Sequence, residues 1–124
     1  MYFLIDEKLP SLNEVINKNR SNRYAGAKFK KEIEETIMTY IENARARGII
    51  SPVGERSCEI RIYFCEKTKR RDVDNIQSSQ KFILDALQKS GILVNDSRKY
   101  VKQIHHKVYD SCKDSVLVII DVEE

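Results

Sequence analysis

Apolar and polar positions follow two different periods along this chain. Met1 to Glu7 reads as a strand, punctuated by Pro10 and Ser11. Ser11 with Glu14 three residues on has the form of a capping box that opens a short helix. After the polar stretch Asn17 to Arg23, residues Phe29, Ile33, Ile37, Tyr40, Ile41 and Ala44 recur at three- and four-residue spacing up to Gly48. That pattern predicts an amphipathic helix with a glycine stop. Ser51, Pro52 and Gly54 make a turn, after which Cys58, Ile60, Ile62 and Phe64 alternate with Glu59, Arg61 and Tyr63, as in a half-buried strand. Between Asp74 and Ser90 the positions Ile76, Ile83, Leu84 and Leu87 share one helical face, and Ser90-Gly91 closes it. Two strands follow, Lys99 to Tyr109 and Ser115 to Val122, joined by Asp110-Ser-Cys-Lys-Asp114 with the spacing of a hairpin loop. The last strand is nearly all apolar and is expected to be central. The order βααβαββ predicts a single α+β domain spanning residues 1–124, a mixed sheet of about four strands with helices packed on it.

Composition narrows the class. The chain has 124 residues, 41% hydrophobic and 33% charged, with a net charge of +3. This length supports one core that buries about two-thirds of the surface of the unfolded chain. The apolar fraction and low net charge exclude a disordered chain. Met1 to Ile5 is the longest early apolar run, with no basic region before it and Asp6 directly after it, so neither a signal peptide nor a membrane span is expected. Cys58, Cys65 and Cys112 are odd in number and lack a CxxC spacing, which fits a reducing, cytoplasmic setting. No GxSxG or P-loop pattern is present.

The charges are clustered. Val15 to Lys31 carries Lys18, Arg20, Arg23, Lys28, Lys30 and Lys31 with no acid and with Tyr24 and Phe29 interleaved. Lys67, Lys69, Arg70 and Arg71 form a second dense window, and Arg98, Lys99, Lys102 and Lys107 form a third that includes His105 and His106. A single such run is usually a solvated face; three acid-free windows suggest a phosphate backbone as partner. His105 and His106 are adjacent on an expected strand, point to opposite faces and are poorly placed to share one ion. Cys58 and Cys65, seven apart, also face opposite sides.

The informative stretch is Lys67-Thr-Lys-Arg-Arg-Asp-Val-Asp-Asn75, between a strand and the next helix. If Asp72-Val73-Asp74 is extended, both carboxylates lie on one side, about 6.6 to 7 Å apart at Cα. Mg²⁺ takes hard oxygen ligands, usually one or two protein carboxylates with waters and substrate phosphate oxygens completing the shell. A competing reading makes Asp74 a helix N-cap, with Gln77 three residues on. Asp72 has no such alternative role, and Asp96 follows the Gly91-Ile-Leu-Val-Asn turn, where aspartates are common.

The blocks Arg70-Arg-Asp-Val-Asp-Asn-Ile-Gln77, Lys81-Phe-Ile-Leu-Asp-Ala-Leu87 and Gly91-Ile-Leu-Val-Asn-Asp96-Ser97 resemble the RusA family of Holliday junction resolvases. The resemblance implies a RusA-like fold and a homodimeric, Mg²⁺-dependent endonuclease. It further implies that four-way DNA is nicked symmetrically in recombination and repair, in an intracellular, bacterial or prophage setting. It carries three catalytic, metal-binding aspartates onto Asp72, Asp74 and Asp96. It also carries a catalytic lysine onto Lys81. The three basic windows themselves are expected to contact phosphates through Lys18, Arg20, Arg23, Lys28, Lys67, Lys69, Arg70, Arg71, Arg98, Lys102 and Lys107.

The lysine departs from the family pattern. The family places it four residues after the second aspartate, where this chain has Ser78; Lys81 comes seven residues after Asp74. An insertion of Ser78-Ser79-Gln80 accounts for the shift. Continuous helix through it would keep the lysine on nearly the same face but move it about 4.5 Å along the axis. Alternatively the helix starts late, with Ser78 or Ser79 as cap. Two other functions stay open: a non-catalytic binder of branched DNA, and a nuclease of the same fold acting on flaps or forks.

Overall fold

The computed structural model describes residues 1–124. Alternation builds the sheet. In β2 (Cys58–Glu66) every second residue from Cys58 is buried and those between are half-exposed. β4 (Ser115–Val122) buries Val116, Val118 and Ile120 in the same way. β1 (Tyr2–Ile5) turns Phe3 and Ile5 inward and Tyr2 and Leu4 outward, and β3 (Val101–Asp110) completes the sheet. The strand order is β1-β4-β2-β3. β4 pairs antiparallel with both β1 and β2, whereas β2 and β3 are parallel. The mixed α+β sheet and the central place of the apolar last strand are as the sequence predicts.

The expected hairpin between the last two strands does not form. β3 and β4 lie on opposite sides of β2, so Asp110 to Asp114 crosses over that strand instead of turning tightly. Spacing alone does not decide which strands pair. A parallel pair needs a crossover, and the helices between β2 and β3 provide it.

Four helices cover one face. α1 (Leu12–Ser21) begins at Ser11, whose side chain accepts from the Glu14 amide. α2 (Arg23–Ala46) follows after the single residue Asn22, which caps it through hydrogen bonds from Tyr24 and Ala25. The polar stretch Asn17 to Arg23 is thus helical apart from that one position. Gly26 permits the sharp corner, since a Cβ there would meet the Asn19 side chain of α1. The expected helix from Asp74 to Ser90 is two helices, α3 (Val73–Gln77) and α4 (Gln80–Lys89), broken at Ser78-Ser79.

The core joins Ile33, Ile37 and Ile41 of α2 and Phe82, Ile83 and Leu87 of α4 to Ile60, Ile62 and Phe64 of β2 and Val118 of β4. Each fully buried aliphatic or aromatic side chain contributes about 1.5–3 kcal/mol relative to exposure. No helix is long and apolar enough to cross a membrane. All three cysteines are free; Cys58 is buried, which pushes its thiol pKa up, and Cys112 is exposed.

Candidate functional site

The segment after β2 is held by its ends. The Lys67 amide donates to Asp114 Oδ1 at 2.7 Å. Arg71 makes a bidentate pair with Glu66, each bond 3.0 Å, and also donates to the Leu9 carbonyl at 2.9 Å. The two side chains are only 14% and 6% exposed. Arg71, an expected phosphate contact, turns all three of its side-chain nitrogens to partners inside the protein, where they tie the end of β2 to the segment before α1. Its neighbour Arg70 is exposed and has no side-chain partner.

That anchoring presents Asp72 and Asp74 to solvent. Asp72 is the N-cap residue of α3, with extended backbone and no side-chain capping bond, while Asp74 lies in the first turn. The alternative of Asp74 as the cap is therefore not realised. Nor is the extended Asp72-Val73-Asp74 geometry, because the helix already begins at Val73. Asp96 sits in the exposed loop before β3, where the Asn95 side chain accepts from the Ser97 amide at 2.9 Å.

The chain contains eight aspartates. Asp6, Asp85, Asp110 and Asp121 are ion-paired to Lys113, to Lys30 and Lys81, to Lys69 and to Arg61 respectively. Asp114 accepts the Lys67 amide. Asp72, Asp74 and Asp96 are the three whose carboxylates have neither a hydrogen bond nor an ion pair, although 22 basic side chains are available. These three do not form a ready-made ligand cluster: no three His, Cys, Asp or Glu side chains converge in a geometry to hold a metal ion. Repulsion between like charges opposes such a cluster when no cation is bound. Their oxygen chemistry nevertheless fits Mg²⁺, which needs only one or two protein carboxylates beside waters and phosphate oxygens.

The break between α3 and α4 is built by the extra serines. Ser78 Oγ accepts the Leu12 amide at 3.0 Å, capping the start of α1, and donates to the Asn75 carbonyl at 2.6 Å. Asn13 Nδ2 donates to Asn75 Oδ1 at 2.6 Å. Buried Ser79 donates to the Ile76 carbonyl at 3.0 Å. The sequence reading missed Glu66, Asn13 and Asn75 as parts of this frame; Asn75 lies within the quoted motif, but no spacing rule links it to Asn13.

Lys81 lies one residue into α4 and reaches Asp85 at 3.3 Å. Asp85 also faces Lys30 at 3.6 Å, and Lys30 faces buried Glu34 at 3.7 Å, which is in turn bonded to Lys89. Of the remaining basic residues, Lys18 stacks on Phe29, Arg23 on Tyr24 and Lys107 on Tyr109, at 5.0, 5.4 and 5.2 Å from the ring centroids. Lys69 is ion-paired to Asp110 yet 83% exposed. Arg20, Lys28, Lys67, Arg98 and Lys102 are exposed without side-chain partners. His105 points outward near Glu59, while His106 packs edge-on against Phe64, its Nε2 buried without a partner and its pKa lowered by desolvation.

An α+β domain that presents unpaired carboxylates between exposed cations has the features of a phosphodiester-cleaving nuclease. The family model described as endodeoxyribonuclease RusA matches residues 7–121, so the chain belongs to the RusA endodeoxyribonuclease family. None of the curated proteins compared with the chain matches it.

Proposed function

We propose that this protein is a Mg²⁺-dependent, structure-specific endonuclease that resolves Holliday junctions by paired symmetric nicks, acting as a homodimer in DNA recombination and repair. The observation that carries this reading is the set of three aspartates left unpaired in a chain rich in cations. Asp72, Asp74 and Asp96 would hold the metal, which when bound supplies activation of a water for in-line attack and charge neutralisation at phosphorus.

The other groups act on the DNA or on the frame. Lys67, Arg70, Arg98 and Lys102 contact the phosphate backbone, giving sequence-independent binding with steep salt dependence. The Arg71–Glu66 pair holds the carboxylates where the backbone passes. Lys81 exchanges Asp85 for a phosphate oxygen, at low cost because an exposed i,i+4 pair is worth only about 0.3–0.5 kcal/mol. Its positive charge then opposes the negative charge that grows in the transition state. The uncovered sheet face, where Tyr2 stands opposite Ile119 and Leu4 opposite Leu117, supplies apolar surface for a two-fold pairing.

The test uses end-labelled four-way junction, linear duplex and a replication fork, each in Mg²⁺ and in EDTA. Paired, symmetric, metal-dependent nicks in the junction are expected. Tight junction binding without nicks supports a non-catalytic binder instead, and preferred cleavage of the fork supports a flap or fork nuclease.

A further inference from the structure

Tyr24 is the most exposed of the large apolar side chains, at 72% of its full accessible surface. It has no packing role, yet its backbone is fixed. The Tyr24 amide donates to Asn22 Oδ1 at 2.9 Å, and the Asn22 cap also takes the Ala25 amide. Behind it, Gly26 of α2 lies against Asn19 of α1, so the corner between the helices is close-packed. A close-packed corner thus carries a largely exposed aromatic ring into solvent. Its charged neighbours in sequence are all cations: Lys18, Arg20, Arg23 and Lys28 lie within an acid-free stretch, and the Arg23 guanidinium sits 5.4 Å from the Tyr24 ring centroid.

Each part has a counterpart in unpaired nucleic acid. A base lifted out of its stack offers a π-face to an aromatic ring, and the adjoining phosphates offer anionic oxygens to lysine and arginine. Intact duplex hides the base faces, so a ring of this kind gains contact only where stacking is interrupted.

We infer that the α1–α2 corner is a base-stacking site, in which Tyr24 receives an unstacked nucleobase at a DNA branch point while Arg23 and Arg20 hold the flanking phosphates. This rests on the branched-DNA reading above and deepens it by naming a residue that distinguishes a branch point from continuous duplex.

The experiment uses the full chain in EDTA, to prevent cleavage. 2-Aminopurine is placed at the branch point of a four-way junction, inside one arm, or in a single-stranded oligonucleotide. Wild-type protein is expected to change the branch-point and single-strand fluorescence but not that of the arm. Tyr24→Ala should abolish that change and weaken junction binding by about tenfold, with duplex binding and the salt slope unaltered. Tyr24→Phe should behave as wild type, because stacking needs the ring and not the hydroxyl. Unchanged junction affinity and fluorescence in Tyr24→Ala would overturn the inference, as would failure of Tyr24→Phe to bind like wild type. A fall in solution mass in Tyr24→Ala with DNA binding intact would also overturn it, assigning the ring to a protein contact. If wild type binds junction and duplex equally, the branched-DNA reading fails; the single-strand arm then still decides whether Tyr24 stacks on bases.

Discussion

Two charged regions of this molecule are built in opposite ways. Between α2 and α4, Glu34 is buried and bonded to Lys89, Lys30 lies near both Glu34 and Asp85, and Asp85 also accepts from Lys81. At the start of α3 and in the loop before β3, the carboxylates of Asp72, Asp74 and Asp96 have neither a hydrogen bond nor an ion pair. The first region uses charge to hold two helices together, since a buried carboxylate without a partner is strongly destabilising. The second leaves charge in solvent, where it costs little and stays available to a ligand. Arg70 and Arg71 repeat the contrast at single-residue scale, the former free and the latter bound to Glu66 and Leu9.

The sharpest way to break the comparison is at the carboxylates. Asp72→Asn is expected to lower junction cleavage by on the order of 10³-fold while leaving junction binding equal or tighter, because a negative charge beside phosphate is removed. The paired carboxylate Asp121, changed to Asn, should leave cleavage within about twofold. Equal effects of the two substitutions in single-turnover assays would remove the distinction between paired and unpaired aspartates.

Next in size is Arg71→Ala, which strands Glu66 and the Leu9 carbonyl. Urea denaturation should show a loss of about 3 kcal/mol. Arg70→Ala should leave the urea midpoint unchanged, weaken DNA binding a few-fold and reduce the salt slope by about 1. A variant pair with matching stabilities would contradict the assignment of Arg71 to the frame. Ser78→Ala removes an acceptor from the first amide of α1 and should cost about 1 kcal/mol in the same measurement.

The smallest effect concerns His106. Burial holds its imidazole below the usual 6.5, so on acidification the unfolded chain takes up the proton first. The stability from the neutral ring is present above about pH 6.5 and is lost as pH falls through that value and on through the lower folded-state pKa. Urea midpoints between pH 7.5 and 5 should fall less steeply for His106→Leu than for wild type; parallel slopes would contradict the burial argument.

Much of this organisation is legible in the sequence. The alternation Cys58 to Phe64 and the three- and four-residue spacing from Phe29 to Ala44 each report one face of one element, so β2 and α2 are read correctly. Ser11 and Glu14 mark the start of α1 for the same local reason. Asp72, Asp74 and Asp96 stand out in the sequence because they fall in the first and last of three ordered blocks. Pairing between distant segments is a different kind of information. Nothing in Asp110 to Asp114 tells that β2 will lie between the strands it joins. Ser78 reads as an insertion until the Leu12 amide, 66 positions away, is seen to use it. Arg70 and Arg71 are indistinguishable until Glu66 and Leu9 are brought to one of them.

Central to the proposed function is that the unpaired Asp72, Asp74 and Asp96 serve the same metal site. Mn²⁺, a paramagnetic stand-in for Mg²⁺, tests it directly when titrated into isotope-labelled protein with junction DNA present. The account predicts that amide signals of residues 72–75 and 95–97 broaden together at substoichiometric metal, before those around Asp6, Asp85, Asp110, Asp114 and Asp121. Broadening that begins at the paired aspartates, or reaches residues 72–75 without 95–97, would contradict it.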